Sequence, residues 1–260
     1  MFSKNTDQIK LIKNKINLNK IKQKINIQNI QNIQTQLINR KKYIFILCPP
    51  YQGSTPIINL LESSNNTTTF VSAPTQFGEG QWLLSQNSMI DYDINKWDPS
   101  YKINMDLVKT IYDKYWDHTK LIYVEKSPPL ICRAEQLEEY FSQFGDVYFI
   151  ISIRSPYSTD HYSSEEWIKF AEYQKQNIDT LKNKIIITYE ELCTDTDNVI
   201  NKIKNVIPEL YDIHNQSNPN IKTERGKKIN SNKVNRIIDK NYDCLKNHVD
   251  LLNFFGYKLI

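Results

Sequence analysis

The chain has 260 residues, a net charge of +4, 40% hydrophobic residues and four cysteines. This composition allows one globular domain plus an extension, and no apolar run is long enough to span a membrane. The first residues lack the apolar core of a signal peptide, and the cysteines lie far apart without a Cys-x-x-Cys pair. We therefore expect a cytoplasmic protein with reduced thiols, no transmembrane segment and no metal site.

Residues 1–40 are predicted to be a basic arm rich in Ile, Asn, Lys and Gln, followed by a domain at residues 41–260. Ten Lys or Arg residues against Asp7 give residues 1–42 a charge of +9, so the remainder carries −5 of the overall +4. Isoleucines recur at helical spacing in short groups whose phase slips, so no coiled-coil seam is sustained. We expect a solvated helical or disordered arm, with self-association through a helix as the alternative. Nucleic-acid binding is not expected, because the arm has no aromatic residue after Phe2 to stack on bases.

The domain begins with a strand, a Gly-containing turn and a helix start. Residues 43–48 form an apolar run typical of a strand buried on both faces of a parallel sheet. After a turn at residues 49–54, Thr55 is the expected N-cap and Pro56 the expected first helical residue. This arrangement can bind phosphate, because backbone N–H groups and the helix dipole favour an anion. An ordinary capped turn is an equal alternative on this segment alone, and a Walker A loop is excluded because no lysine follows Gly53.

Further strands and helices are predicted to alternate along the rest of the domain. Candidate strands lie at residues 70–73, 121–124, 147–153 and 185–188. Helices are predicted at residues 105–118, 130–144, 165–181, 195–207 and 234–255, with polar or irregular connections at residues 63–69 and 85–104. This alternation predicts an α/β fold with a central parallel sheet flanked by helices. In such sheets the ligand binds beyond the carboxyl ends of the strands.

Five short motifs, in chain order, resemble those of the sulfotransferases. Pro50-Tyr-Gln-Gly-Ser-Thr55 is similar to the loop that holds the 5′-phosphosulfate of 3′-phosphoadenosine 5′-phosphosulfate (PAPS). The segment Arg154-Ser-Pro156, at the end of a predicted strand, is similar to the family's Arg-x-Pro signature. Gly78-Glu79 and Glu125-Lys-Ser-Pro-Pro129 resemble elements of the carbohydrate and protein-tyrosine branches. Tyr189-Glu-Glu-Leu192 resembles an element of the family at large. The resemblance covers most of residues 41–260 and none of the arm.

The resemblance implies a P-loop-type three-layer α/β fold and a sulfotransferase that uses PAPS as co-substrate, without a metal. The acceptor would be a hydroxyl group on a small molecule or a glycan. Glu79 would be the base that takes the acceptor's proton, and Lys126 would neutralise charge on the bridging oxygen or sulfonate. The implied PAPS-binding residues are Gly53, Ser54, Thr55, Arg154, Ser163, Tyr189, Arg225 and Lys227.

Two departures from the family pattern leave alternatives open. Tyr51 stands where the loop normally has Arg or Lys, and a phenol carries no charge at neutral pH. The serine expected eight residues after Arg154 is Tyr162, and Ser163 follows it. A second hypothesis is therefore a catalytically impaired domain that binds nucleotide or a protein partner. A third is a scaffold that oligomerises through the arm, and a nucleotide kinase is the least favoured because the P-loop lysine is absent.

Overall fold

A computed structural model describes residues 40–87, 89–158, 161–216, 237–238 and 242–260, without the side chain of residue 90. Residues 1–39 of the predicted arm lie outside this part of the chain, and so do Arg225 and Lys227. The predictions made for them, and the division into an arm and a domain, stay predictions.

The described residues contain a parallel sheet with β1 at its centre. The strands are β1 (Lys42–Leu47), β2 (Thr67–Thr68), β3 (Ile122–Glu125), β4 (Asp146–Ile153) and β5 (Lys184–Thr188). Their order in the sheet is β2-β3-β1-β4-β5, and every neighbouring pair is parallel. The chain therefore passes from one side of β1 to the other between β3 and β4. Such a switch point places a crevice at the carboxyl end of the central strand.

Helices connect these strands and cover both faces of the sheet. They are α1 (Ser54–Glu62), α2 (Gln81–Gln86), α3 (Ile90–Asn95), α4 (Met105–Tyr112), α5 (Ala134–Phe141), α6 (Ser164–Thr180), α7 (Tyr189–Thr194), α8 (Thr196–Val206) and α9 (Val249–Phe254). Single 3₁₀ segments occur at Pro128–Cys132, Pro208–Leu210 and Asp243–His248.

The side chains of β1 alternate between two apolar cores on opposite faces of the sheet. Tyr43, Phe45 and Leu47 pack with buried residues of α5 and α6. Ile44 and Ile46 pack with buried residues of α1 and α8. Burial of each large apolar side chain contributes about 1.5–3 kcal/mol. The predicted α/β architecture, a parallel sheet between two helical layers, is confirmed.

The prediction of a second strand at residues 70–73 was wrong. The strand is Thr67–Thr68, inside the segment predicted as a polar loop, and it pairs with β3. Phe70 is fully buried because its ring packs against Tyr112 and Trp116, with ring centroids 4.9 and 5.1 Å away. Its apolar character therefore reflects core packing and not a strand.

Four other element predictions were also corrected. The irregular connection at residues 85–104 contains α3. The helix predicted at residues 130–144 is divided into a 3₁₀ segment, Pro128–Cys132, and α5, because the backbone of Arg133 between them is not helical, with a φ of −124° and a ψ of 2°. The helix predicted at residues 105–118 ends at Tyr112. The described part of residues 234–255 holds a 3₁₀ segment and α9 in place of one long helix.

Candidate active site

The loop after β1 turns into α1 at Gly53. Gly53 is the N-cap residue, with a left-handed φ of 105° that L side chains rarely adopt. The helix begins at Ser54, so the prediction of Thr55 as N-cap was wrong. Position 53 also has no room for a side chain, because an added Cβ would lie 2.5 Å from Tyr189 Cδ2. The left-handed backbone and the neighbouring Tyr189 ring together require glycine at position 53 of the predicted phosphate loop.

Arg154 lies directly after β4, beside this loop. Its Nε donates to Ser158 Oγ at 2.7 Å and its Nη2 to the Ser158 carbonyl at 2.6 Å. Its Nη1 donates to the Tyr51 carbonyl at 3.4 Å, and Cζ lies 4.4 Å from the centroid of the Tyr189 ring. In the described part of the chain these partners are neutral oxygens and an aromatic face. The guanidinium charge therefore has no carboxylate partner there and can attract an anion.

The backbone at Arg154 is fixed from three directions. Gln52 Oε1 accepts from the Arg154 N–H at 2.9 Å, and Trp167 Nε1 donates to the Arg154 carbonyl at 2.8 Å. Glu190 Oε1 accepts from the Ser155 N–H at 3.0 Å. The loop after β1, helix α6 and helix α7 thus hold one short segment. No local pattern pointed to Gln52, because its role depends on a partner 102 residues away.

Lys126 contacts both the predicted phosphate loop and the predicted base. Its side chain is fully buried, with Nζ 3.3 Å from Thr55 Oγ1 and 3.4 Å from Glu79 Oε1. Burial lowers the pKa of Lys126, and the Glu79 carboxylate partly opposes that shift. Glu79 Oε2 also accepts from Gln81 Nε2 at 2.6 Å, and 12% of the Glu79 side chain is exposed. A cation and a reachable carboxylate therefore meet beside the loop.

Glu125 is a buried carboxylate to which the sequence assigned no role. It ends β3 next to Lys126 and has no exposed surface. Its Oε1 accepts from the Gly80 N–H at 2.8 Å, and both carboxylate oxygens accept from the Ser127 N–H at 3.0 Å. Burial outweighs these hydrogen bonds and raises the pKa of Glu125 to about 7. In the sequence, Glu125 was visible as a charged residue ending a buried strand and as the first residue of the Glu125-Lys-Ser-Pro-Pro129 motif.

Tyr51 occupies the loop position where a cation was expected. Its backbone has a positive φ of 59°, and 51% of the residue is exposed. The phenol ring stacks on the exposed imidazole of His161, with ring centroids 3.9 Å apart. An aromatic pair therefore stands beside Arg154 in place of a second cation.

Two more predicted binding residues lie around this crevice. Tyr189 is the first residue of α7, and its ring lies against Arg154. Burial raises the pKa of the Tyr189 phenol to about 12, so the ring is neutral near pH 7. Ser163 is the exposed N-cap of α6, where its hydroxyl accepts from the Glu166 N–H at 3.2 Å. The binding roles of both residues stay predictions.

The fold resembles that of solved sulfotransferase structures. The sulfotransferase domain from the Synechococcus PCC 7002 olefin synthase matches with a TM-score of 0.53 at 16% identity. The match covers 85% of this chain and 97% of that domain. The chain has a sulfotransferase-like fold.

A sulfotransferase from Alicyclobacillus acidocaldarius matches over 83% of this chain and 96% of its own, with a TM-score of 0.44 and 12% identity. No family model and no curated protein matches the sequence. The match to the olefin synthase domain confirms the resemblance drawn from the motifs for the sulfotransferase-like fold, and no branch within it is specified.

Two further findings, on metal binding and on membrane-spanning helices, apply to the residues that the structure describes. There, no group of three or more His, Cys, Asp and Glu side chains could hold a metal ion. Among the same residues, no helix combines the length and the apolar character needed to cross a bilayer.

Proposed function

We propose that this protein transfers a sulfuryl group from PAPS to a hydroxyl acceptor. One observation carries the proposal: the Lys126 ammonium contacts both Thr55 of the phosphate loop and the Glu79 carboxylate. Three motifs that are far apart in the sequence thereby meet at the carboxyl end of the sheet. The sulfotransferase-like fold supports the same assignment.

The residues present fit PAPS, which is negatively charged at both ends. The turn at Gly53 has no space for a Cβ because the Tyr189 ring lies against it, so the ring proposed to contact the nucleoside lies next to the start of α1. Gly53, Ser54 and Thr55 would hold the 5′ end at the start of α1. Arg154 would bind the 3′-phosphate and Tyr189 the nucleoside. Further contacts are proposed for Ser163, Arg225 and Lys227.

The chemistry assigned to the protein is proton removal and charge stabilisation. PAPS, when bound, supplies the sulfuryl group and a phosphate leaving group. Glu79, which keeps some exposure, would take the proton of the acceptor hydroxyl. The buried Lys126 ammonium would stabilise negative charge that develops near Thr55, and its low-dielectric surroundings strengthen that effect. Positioning and electrostatics do most of the work in the related phosphoryl transfers.

The acceptor is proposed to be a hydroxyl on a small molecule or glycan. The Gly78-Glu79 and Glu125-Lys-Ser-Pro-Pro129 segments resemble elements of the carbohydrate and protein-tyrosine branches, and a carbohydrate is the class to test first. A cytoplasmic location and self-association through the arm belong to the same proposal.

A second candidate is a domain that binds nucleotide without turnover. Tyr51 favours it, because a neutral ring stacked on His161 stands where the resemblance implies a cation. Such a protein would keep the Arg154 site and lack efficient sulfuryl transfer.

Titration calorimetry with 3′-phosphoadenosine 5′-phosphate, the desulfated product, tests the binding step. We expect saturable binding by the wild type, a large loss in Arg154→Ala and no change in the surface control Lys246→Ala. Absence of binding by the wild type, or equal binding by Arg154→Ala, would overturn both candidates. Transfer of labelled sulfate from PAPS to a panel of sugars and phenols then separates them. Turnover that Glu79→Gln abolishes supports the enzyme, and binding without turnover supports the second candidate.

A further inference from the structure

The turn that carries Glu79 has an unfavourable backbone conformation. Phe77 and Gly78, immediately before Glu79, have positive φ values of 58° and 72°. A left-handed conformation is uncommon for an aromatic residue and persists only where neighbouring contacts hold it. The direction of the Glu79 side chain therefore depends on contacts outside the turn.

Those contacts come from the end of β3. The helix that follows the turn, α2, has Gly80 as its N-cap and no side-chain cap of its own. The Gly80 N–H donates to Glu125 Oε1 at 2.8 Å, and the Gln81 N–H donates to Ser127 Oγ at 2.8 Å. The first N–H groups of a helix need acceptors, and residues of another strand end supply them here.

The capping groups are themselves held together. The Ser127 N–H and hydroxyl both donate to the Glu125 carboxylate, and both residues are fully buried. Packing around them is tight, because a Cβ on Gly80 would lie 2.8 Å from both Glu125 Oε1 and Tyr112 Cε1. Glu125 and Tyr112 therefore pack directly against Gly80, and position 80 has no space for a side chain.

We propose that Glu125 is a positioning residue for the reaction. Together with Ser127 it caps α2 from the end of β3, which holds Glu79 against Lys126. Residues 125–127 thus have two roles. Lys126 is the cation, and Glu125 and Ser127 position the base, Glu79, by accepting hydrogen bonds from the backbone of Gly80 and Gln81. The expected effect on turnover rests on the proposed function, whereas the capping of α2 by Glu125 and Ser127 does not.

Measuring both turnover and nucleotide binding in Glu125 variants distinguishes a positioning role from general destabilisation of the protein. In Glu125→Ala we expect kcat to fall about 100-fold, the size of effect that a small misplacement of a catalytic group produces. The Kd for 3′-phosphoadenosine 5′-phosphate should stay within about twofold, since Gly53 and Arg154 follow other strands. Glu125→Gln keeps one oxygen for the Gly80 N–H, so it should recover part of the lost kcat. An unchanged kcat in Glu125→Ala, or equal losses of kcat and nucleotide affinity, would overturn the role.

Amide hydrogen exchange tests the cap without any activity. In Glu125→Ala the Gly80 and Gln81 amides should exchange at least tenfold faster, with protection along β1 unchanged. If Glu125→Ala does not fold, Ser127→Ala should still deprotect the Gln81 amide. Unchanged protection at both amides would disprove the cap. If the wild type neither binds the nucleotide nor turns over, the proposed function fails, and the exchange result decides the cap separately.

Discussion

Gly53 lies against the ring of Tyr189, and a Cβ at position 53 would come within 2.5 Å of Tyr189 Cδ2. Its φ of 105° adds a second penalty for any side chain. We expect Gly53→Ala to lower the free energy of unfolding by at least ~2 kcal/mol, since the left-handed conformation alone costs about 1–2 kcal/mol. It should also weaken binding of the nucleotide product, because Tyr189 must move.

Gly256→Ala is the matched control for this substitution. Gly256 has a φ of 77°, and nothing lies within 4 Å of an added Cβ. It reports the backbone penalty alone, so denaturant unfolding should show a smaller loss than in Gly53→Ala. Equal losses in the two variants would mean that the Tyr189 contact has no energetic effect.

Arg154→Lys should weaken nucleotide binding almost as much as removal of the side chain. The guanidinium donates to Ser158 through Nε and Nη2 while its face lies on Tyr189. A lysine ammonium cannot make both hydrogen bonds to Ser158 and also lie flat on the Tyr189 ring. We expect a rise in Kd of about tenfold or more, measured by calorimetry, which corresponds to about 1.4 kcal/mol. Tyr189→Phe keeps the ring and should retain most of the affinity. A Lys variant with wild-type affinity would contradict the assigned role of Arg154.

The parts of this structure that were predictable from sequence are those encoded in local patterns. The strands β1 and β4 are apolar runs because both faces of the sheet are covered, and such runs are visible without a structure. Strand β2 is two threonines that are extended only because they pair with Ile122 and Tyr123. Nothing in their own sequence distinguishes them from the loop around them.

The same distinction applies to the candidate site. Gly53, Lys126 and Arg154 sit in short motifs next to predicted strand ends, so the fold brings them to one edge of the sheet. The contact of Glu125 with the Gly80 N–H spans 45 residues and depends on how one turn packs against a strand end. A local pattern holds no information on that packing.

Lys126→Met should affect catalysis far more than stability. Burial is the largest influence on the Lys126 ammonium and lowers its pKa, so the folded state carries a desolvation penalty. A methionine of similar length removes that penalty and keeps the packing, whereas Glu79 stays partly exposed to water. We expect a change in unfolding free energy within about 1.5 kcal/mol, and loss of turnover by about 100-fold or more. Thermal unfolding and labelled-sulfate transfer measure the two effects, and preserved turnover would contradict the role of Lys126.

Tyr51→Arg should strengthen binding of the nucleotide product. The position lies beside Arg154 Nη1, and its backbone φ of 59° is already strained for tyrosine, so arginine adds no new backbone penalty. A second cation near a bound phosphate should lower Kd by about three- to tenfold at low salt, with less effect at high salt. Tyr51→Phe keeps the ring that stacks on His161 without adding charge and should bind like the wild type. If Tyr51→Arg binds no better than Tyr51→Phe, the loop position does not face the anion.

The Glu125 carboxyl should make stability fall as pH rises. Its pKa is raised by burial from 4.5 to about 7 in the folded chain. Between these values the folded state holds a proton that the unfolded chain has released, so the unfolding free energy decreases with increasing pH and levels off above about pH 7. The shift corresponds to roughly 3 kcal/mol. The charged or titratable groups that act on this carboxyl or feel its charge are Glu79, Lys126, Tyr92 and Tyr112.

Glu125→Gln removes this titration and provides the measurement. Denaturant unfolding of both proteins from pH 5 to pH 8 should show the stability of the wild type falling relative to Glu125→Gln by a few kcal/mol. The control Glu139→Gln replaces an exposed carboxylate, and its difference from the wild type should stay nearly constant. A flat difference for Glu125→Gln would show that the carboxyl ionises as freely in the folded chain as in the unfolded one. In that case burial at the end of β3 would not hold the proton, because water or a neighbouring group would compensate the charge.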